Sequence, residues 1–201
     1  MLATTILSIL LGCQSELDNK EAATVSDAPA AAPAAPAAVP AAPAAPAGQL
    51  KLSPDSRIEW LGAKVTKDHP GGFKTFSGTL EMDGDSPKSL QVEVDVASMF
   101  SDSEKLTKHL LNADFLEVEK FSKSSFKSSK IADGTITGML DMHGVEKEIS
   151  FPAELKADAG SASLKAEFTI NRRLWGINYN GRANDLIKDD VLLKLDLKFK
   201  P

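Results

Sequence analysis

The sequence predicts an all-β protein, a closed antiparallel barrel of about eight strands with one short helix, preceded by a disordered tether. Three observations lead to this prediction. Residues 49–201 alternate apolar and polar side chains with a period of two, which places the apolar ones on one face of a sheet. Glycine-containing turns divide the alternating stretches. A single stretch has helical spacing, so no set of helices is available to cover a second face.

Two stretches show the alternation most clearly, one that begins at Leu90 and one that ends the chain. The residues predicted to face inward there are Leu90, Val92, Val94, Val96, Val191, Leu193, Leu195, Leu197 and Phe199. Closing the sheet into a barrel is the simplest way to bury its apolar face. About eight strands leave an interior just wide enough for side chains or for one small ligand, which should itself be apolar.

Residues 103–112 are predicted to form the helix. Ser101 and Glu104 have the spacing of a capping box, in which two side chains satisfy the free amides at a helix start. Leucines at helical spacing follow, including Leu110 and Leu111. We expect this helix to interrupt the sheet and to cover one end of the barrel.

The chain begins with a short apolar stretch that ends at its only cysteine. Residues 1–12 contain no charge, and the chain turns polar directly after Cys13. The stretch is too short to cross a bilayer core of about 30 Å as a helix, but it has the length of the apolar region of a signal peptide. Leu10, Leu11 and Gly12 before Cys13 resemble a bacterial lipobox. The sequence therefore predicts a signal peptide over residues 1–12 and lipidation of Cys13.

This signal implies an exported protein that is lipid-anchored to the bacterial envelope. Gln14 is not the aspartate that retains many lipoproteins at the inner membrane. The outer membrane, facing the periplasm, is therefore the expected location. No Lys or Arg precedes the apolar stretch, which a start assigned too far downstream would explain. The alternative is that Cys13 is an incidental or buried cysteine at an apolar terminus.

Residues 14–48 are predicted to form a disordered Ala/Pro-rich tether. Between residues 28 and 47, prolines at every third or fourth position prevent an α-helix, and no side chain is large enough to pack. Such a stretch favours polyproline II, which extends by about 3.1 Å per residue. We expect a spacer that holds the folded domain several nanometres from the membrane. A Pro-rich recognition motif is the alternative, but flanking charges and aromatic residues are missing.

The composition excludes two classes of protein. The chain carries 23 Lys and Arg against 28 Asp and Glu, a formal net charge of -5. This balance does not provide the concentrated basic face that nucleic-acid binding requires. One cysteine cannot form a disulfide framework, so core packing must hold the domain together. The oligomeric state is left open.

Several motifs occur in order along the domain. They are Gly72-Phe73-x-x-Phe76-x-Gly78, His109-Leu110-x-x-Ala113-Asp114-Phe115-Leu116, Lys120-Phe121-x-x-x-x-Phe126, Gly138-x-Leu140-x-Met142-His143-Gly144-Val145-x-Lys147 and Asn171-Arg172-Arg173-Leu174-Trp175-Gly176-Ile177. On these motifs the domain resembles the YceI-like, or polyisoprenoid-binding-like, family. The resemblance implies a lipocalin-like barrel over residues 49–201 whose pore holds a long-chain isoprenoid or similar amphiphile. It does not carry over the identity of the ligand.

The large apolar residues near these motifs are the candidate ligand-binding residues. They are Phe73, Phe100, Leu110, Phe115 and Trp175. We expect them to line the pore near its helix-covered end. Trp175 stands where family members often carry phenylalanine, so its extra volume should narrow the cavity. Arg173 and Asp114 are expected to pair and to fix the helix against the barrel; the alternative is two independent surface charges.

The sequence contains no residue pattern that is typical of a catalytic site. His69, His109 and His143 are too widely separated to indicate a metal site by spacing. The chain has no Gly-x-Ser-x-Gly elbow, phosphate loop or dinucleotide motif. We therefore predict no catalytic residue, no metal and no cofactor other than a bound isoprenoid-like lipid.

The predicted function is that of a non-catalytic periplasmic lipid-binding protein. An isoprenoid or long-chain amphiphile would occupy the barrel interior, and Cys13 would provide contact with the membrane. The alternative is a surface lipoprotein whose barrel is filled by side chains and which acts as a scaffold or partner-binding module.

Overall fold

A computed structural model describes residues 15–27, 48–158, 160–182 and 185–201 of the chain. The strands are β1 (Thr24–Asp27), β2 (Gln49–Leu52), β3 (Arg57–Ala63), β4 (Asp68–Phe73), β5 (Phe76–Asp83), β6 (Ser86–Asp95), β7 (Met99–Ser101), β8 (Lys123–Ala132), β9 (Thr135–Met142), β10 (Val145–Pro152), β11 (Glu154–Asp158), β12 (Ser161–Asn171), β13 (Gly181–Arg182), β14 (Asp185–Leu186) and β15 (Asp190–Lys200). The helix α1 spans Glu104–Leu111, and short 3-10 helices span Glu16–Asn19, Val96–Ser98 and Arg172–Trp175.

A 13-stranded sheet contains every strand except β13 and β14, and all of its strand pairs are antiparallel. The long strand β15 is its centre. One edge of β15 pairs with β12, and the other pairs with β3 and, further along, with β2. From β2 the sheet continues through β5, β6, β8, β9 and β10 to β1. The prediction of an all-β antiparallel fold with one α-helix is confirmed for the described residues.

The prediction of a closed barrel of about eight strands is wrong in two respects. The sheet has 13 strands, because breaks divide stretches that the alternation pattern joins and because short strands such as β1 and β7 add to them. One such break follows Pro152, which has no N–H to continue a ladder. The ladder of paired strands also remains open between β10 and β12.

The alternation predicts the core well. Side chains on the inner face are almost fully buried, with exposed fractions of 1% or less for Leu80, Leu90, Ile136, Leu164, Leu197 and Phe199. Burial of apolar area of this kind contributes most of the stability of a fold without disulfides. The core therefore lies inside the curved sheet, as expected.

Helix α1 lies close to the predicted range, but its cap differs. Ser103, not Ser101, is the N-cap, and its Oγ accepts a hydrogen bond from the Leu106 N–H at 3.4 Å. Ser101 is the last residue of β7, and its hydroxyl donates to the Ser103 carbonyl at 2.8 Å. Glu104 forms an exposed ion pair with Lys108 instead of closing a capping box. No helix in the described parts of the chain is long and apolar enough to cross a membrane.

Residues 15–27, which we call the strap, pack on the sheet instead of belonging to an extended tether. Leu17 is buried against Leu61, Ala63 and Leu192. The strap then enters the gap in the ladder, where β1 pairs with β10 over four residues. The tether predicted over residues 14–48 therefore departs from the structure in its first part, because an apolar side chain and strand pairing hold that part in place.

Two hydrogen bonds join the strap to β12. The Ala23 N–H donates to the Thr169 carbonyl at 2.9 Å, and the Thr169 N–H donates to the Glu21 carbonyl at 3.0 Å. The strap thus bridges the open seam of the sheet by backbone contacts on both sides. The predicted signal peptide, Cys13 and the Ala/Pro stretch of residues 28–47 lie outside the described residues.

Candidate ligand-binding cavity

The curved sheet encloses a cavity of about 240 Å³. One water molecule needs only about 10–15 Å³, so the space is much larger than a site for a single water. Its walls are aliphatic and aromatic side chains from several strands, including Ile58, Val92, Val94, Phe126, Leu140, Phe151, Phe168, Leu193 and Leu195. The period-two pattern is the cause, since every second residue of β6 and β15 points to this side.

One end of the cavity is covered by α1 and the segment after it. We call this the helix end; it is where β3 and β12 finish and where β15 begins. Leu110, Phe115 and Leu116 line the cavity there. Phe115 packs edge-on against His109, with ring centroids 5.2 Å apart, and lies 4.8 Å from the ring of Tyr179. This aromatic cluster fixes the cover to the loop that follows β12.

A buried arginine is the main charged group at the helix end. Arg172 is only 4% exposed and lies among the cavity-lining residues. Its guanidinium donates to the Ile177 and Lys188 carbonyls and to the Asp189 carboxylate. Burial lowers the pKa of this guanidinium, and the nearby Asp189 opposes that shift. Arg172 therefore ties the 3-10 helix after β12 to the segment before β15.

Trp60 lines the cavity with its indole ring. The residue is 7% exposed, and its Nε1 is buried without a hydrogen-bond partner among the described residues. Gly71 lies directly across the strand pair from Trp60. A Cβ at Gly71 would overlap the indole ring and the Phe100 carbonyl, so glycine is required for this close approach.

The predicted ligand-binding residues fall into two groups. Phe73, Leu110 and Phe115 line the cavity. Phe100 does not: it is 38% exposed, its ring lies against Gly72, and the Lys74 ammonium is 5.8 Å from the ring centroid. The cavity-lining residues on β6, β8, β12 and β15 are not among the predicted ligand-binding residues, although the sequence shows their apolar–polar alternation. Aliphatic side chains make up much of the wall, so the aromatic residues of the motifs do not identify it by themselves.

Trp175 is part of the core and does not line the cavity. It is fully buried, and its Nε1–H donates to the Leu140 carbonyl at 3.3 Å. The expected narrowing of the cavity at this residue is therefore not seen. The Trp175 carbonyl lies 3.0 Å from His143 Nδ1, which must be the protonated nitrogen that donates. The turn at His143 thus positions the 3-10 helix, a long-range role that the local sequence does not indicate.

The predicted pair of Arg173 and Asp114 is wrong. Arg173 Nε donates to Asp189 at 2.5 Å, and its guanidinium also contacts Asn180. Asp114 instead lies 3.1 Å from His109 Nε2. The reason is topological: β12 and β15 are neighbours, so Asp189, which directly precedes β15, lies beside the 3-10 helix that follows β12.

The histidines have separate partners. His69 Nδ1 lies 2.9 Å from Asp102, and this hydrogen bond lowers the pKa of the Asp102 carboxyl. His109 contacts Asp114, and His143 contacts the Trp175 carbonyl. In the described ranges, no group of three or more His, Cys, Asp and Glu side chains could hold a metal ion.

An antiparallel sheet curved around an apolar cavity defines a lipocalin-like class of β-protein. Comparison with known proteins then identifies the family. The sequence profile of the YceI-like domain matches residues 53–199, and the chain belongs to this family. A UPF0312 protein of Pseudomonas putida strain F1 is 31% identical over 150 residues, which is 68% of this chain and 77% of that protein.

Solved structures show the same fold. BcnA of Burkholderia cenocepacia superposes with a TM-score of 0.64 at 20% identity, covering 71% of this chain and 95% of that one. A polyisoprenoid binding domain from Saccharophagus degradans, implicated in plant cell wall breakdown, superposes with a TM-score of 0.63 at 14% identity. That match covers 76% of this chain and 98% of the other.

Proposed function

We propose that this protein is a non-catalytic lipid-binding protein that holds an isoprenoid or another long-chain amphiphile in its cavity. The observation that carries the proposal is the wall of hydrocarbon side chains described above. Such a wall offers few hydrogen bonds, so a polar ligand would lose its hydration without compensation. A hydrocarbon chain gains about 0.8 kcal/mol for each buried CH₂ group.

The polar head of the amphiphile belongs at the helix end of the cavity. Arg172 and Lys188 are the charged residues of the lining, and both lie at this end. These side chains give a polar or charged head group its partners at this end, whereas most of the remaining wall is hydrocarbon.

Membership of the YceI-like family supports this interpretation. The Saccharophagus degradans neighbour is described as a polyisoprenoid binding domain, and its fold matches this one. The apolar cavity of this protein is the reason to extend the binding of an apolar chain to it.

The location that we propose follows from the N-terminal sequence. Residues 1–12 and Cys13 favour export and diacylation, with the outer membrane facing the periplasm as the destination. More than one acyl chain on a single residue provides durable anchoring. The protein would then bind its ligand while held at the envelope.

Filling the cavity tests the function directly. Val94 lines the cavity, so Val94→Phe should reduce uptake of a fluorescent isoprenoid analogue from solution by about 10-fold or more, which corresponds to about 1.4 kcal/mol. Ala157→Phe is the matched control, because Ala157 is exposed on β11 and its substitution should leave uptake unchanged. Native mass spectrometry of the purified chain should show a lipid adduct. If wild type carries no adduct and takes up no analogue, the filled-barrel scaffold becomes the better account.

A further inference from the structure

Large apolar side chains are exposed at the helix end. Among the described residues, the exposed large hydrophobics are Val65, Phe100, Leu174 and Leu186. Val65 lies in the loop after β3, Leu174 in the 3-10 helix after β12, and Leu186 in β14. Val65 and Leu186 are 74% and 50% exposed. Isolated exposed residues are normal, but several at one end of a molecule indicate a contact surface.

Val65 and Leu186 form one continuous surface. The Val65 N–H donates to the Leu186 carbonyl at 3.1 Å, and Lys64 forms a backbone bridge with Ile187. Ile187 lines the cavity, whereas its neighbour Leu186 is exposed. Successive residues of one segment thus contribute to the exposed surface and to the cavity wall.

The strap begins beside this surface. The Ser15 hydroxyl donates to the Asp68 carboxylate at 2.9 Å, and Asp68 is the first residue of β4, directly after the loop that carries Val65. Glu16 pairs with Lys194, and Leu17 fills the pocket on the outer face of β3 and β15. Three successive residues of the strap therefore fix its position.

Covalent geometry limits where an anchor at Cys13 can lie. Two residues span at most about 7 Å, so the Cys13 Cα stays within that distance of the Ser15 Cα. A tether of residues 14–48 would have allowed any orientation of the domain. A docked strap keeps the anchor close to the helix end, which favours orientations in which that end faces the membrane.

We propose that the helix end docks on the bilayer that holds the acyl chains of Cys13. Val65 and Leu186 contact the boundary between head groups and acyl chains, and the covered end of the cavity faces the lipid. This inference rests on the lipid anchoring proposed above. It explains why the apolar surface lies next to both the strap and the cavity, since an amphiphile can then pass between bilayer and cavity without crossing water.

The test uses the acylated full chain in vesicles of phosphatidylethanolamine and phosphatidylglycerol. An environment-sensitive fluorophore is attached to a cysteine introduced as Val65→Cys or as Leu186→Cys. Lys156→Cys, on the exposed strand β11 at the opposite end, is the control. We expect a blue shift and quenching by spin-labelled lipids at the first two positions, and neither effect at the third.

Two results would overturn the proposal. The first is that the protein binds vesicles while the fluorophores at Val65→Cys and Leu186→Cys show neither a blue shift nor quenching. This result would reject docking of the helix end without contradicting the proposed lipid binding. The second is thiol labelling of wild-type Cys13, which shows that it is not acylated. Uptake of the isoprenoid analogue by Cys13→Ser protein in solution is measured separately, so failure of the binding function is distinguishable from failure of docking.

The strap itself gives a further discriminating measurement. Ser15→Ala combined with Leu17→Ala removes the contacts to Asp68 and to the outer pocket. Protein carrying these changes should still float with vesicles through its acyl chains, but quenching at Val65→Cys should fall at least severalfold. Unchanged quenching in this variant would show that the strap does not orient the molecule.

Discussion

The two ends of the sheet are built in different ways. At the end opposite α1, which we call the hairpin end, the chain reverses in tight turns at Gly84, Gly134 and Gly160. These glycines have φ between 61° and 77°, and no heavy atom lies closer than 3.9 Å to where a Cβ would be placed. At the helix end, a Cβ on Gly144 would overlap the ring of Phe121. The turns of the hairpin end are determined by local backbone conformation alone, whereas the turn at Gly144 has the same positive φ and is also constrained by packing.

Long-range contacts hold the helix end together. Arg172 joins the segments around β12 and β15, and His143 joins the β9–β10 turn to Trp175. The strap adds Ser15 and Leu17 to the same region. At the hairpin end the ion pairs are exposed, such as Lys88 with Asp83, although the buried Ser56 also makes long-range hydrogen bonds to the Lys198 backbone. The difference indicates that the covered end of the cavity depends on a buried charged side chain, whereas the ion pairs of the hairpin end are exposed.

Removing the buried arginine should have the largest effect. Arg172→Met keeps much of the side-chain volume but leaves the Ile177 and Lys188 carbonyls without their donors. We expect a loss of about 3 kcal/mol in the free energy of unfolding. Lys88→Met breaks an exposed pair at the hairpin end and should cost less than about 1 kcal/mol. Urea titration of both variants measures the difference, and equal losses would contradict the contrast between the ends.

Two glycine variants compare a single turn at the hairpin end with a single turn at the helix end. Gly134 and Gly144 both have φ near 70°, so alanine costs about 1–2 kcal/mol at either position for backbone strain. Only at Gly144 does the new methyl group also meet an aromatic ring. Gly144→Ala should therefore destabilise the protein by about 1–3 kcal/mol more than Gly134→Ala. Thermal unfolding of the two variants decides this, and identical midpoints would mean that Phe121 moves aside freely.

The same contrast explains what the sequence could predict. The strands, the hairpin turns and the buried inner face follow from period-two alternation and glycine positions, which are local signals. The range of α1 follows from leucine spacing. Even there, the capping pattern points to Ser101 instead of Ser103, because the pairing of Ser101 within β7 cannot be read from local spacing.

The site was predicted less completely for a physical reason. Phe73, Leu110 and Phe115 line the cavity as expected, but Trp175 packs in the core and Phe100 on the surface. Which side a motif residue faces depends on how the 3-10 helix and β7 meet the sheet. The sequence does not predict the docked strap, because its polar, alanine-containing residues have little periodicity. Docking of the strap depends on Leu17, on backbone pairing with β10 and β12, and on ion pairs with distant residues.

These ion pairs give the last and smallest predicted effect, a pH dependence of strap docking. Asp27 pairs with Lys147 at 2.6 Å, and Glu167 pairs with Lys20. The hydrogen bond from Lys147 lowers the pKa of Asp27 from 3.8, and that from Lys20 lowers the pKa of Glu167 from 4.5. A carboxyl whose pKa is lower when docked stabilises docking above its ordinary pKa. That stabilisation is lost as pH falls through the lowered value.

The lysine side of the pair acts in the opposite direction. The Glu167 hydrogen bond raises the pKa of Lys20 above 10.5, so its contribution is complete below that pH and is lost only as pH rises through the raised value. Docking should therefore be constant between about pH 5 and pH 10 and should weaken below about pH 4. The change should be small, because both carboxylates are substantially exposed.

Hydrogen exchange at one amide reports the strap directly. The Ala23 N–H is bonded to the Thr169 carbonyl, so its protection factor, corrected for the intrinsic rate, measures docking. We expect the same protection at about pH 5 and pH 7 and reduced protection at about pH 3.5, while amides in the centre of β12 stay protected. Asp27→Asn combined with Glu167→Gln should remove this step. A loss of protection between about pH 5 and pH 7 would instead implicate a histidine, since carboxyls with lowered pKa values do not titrate there.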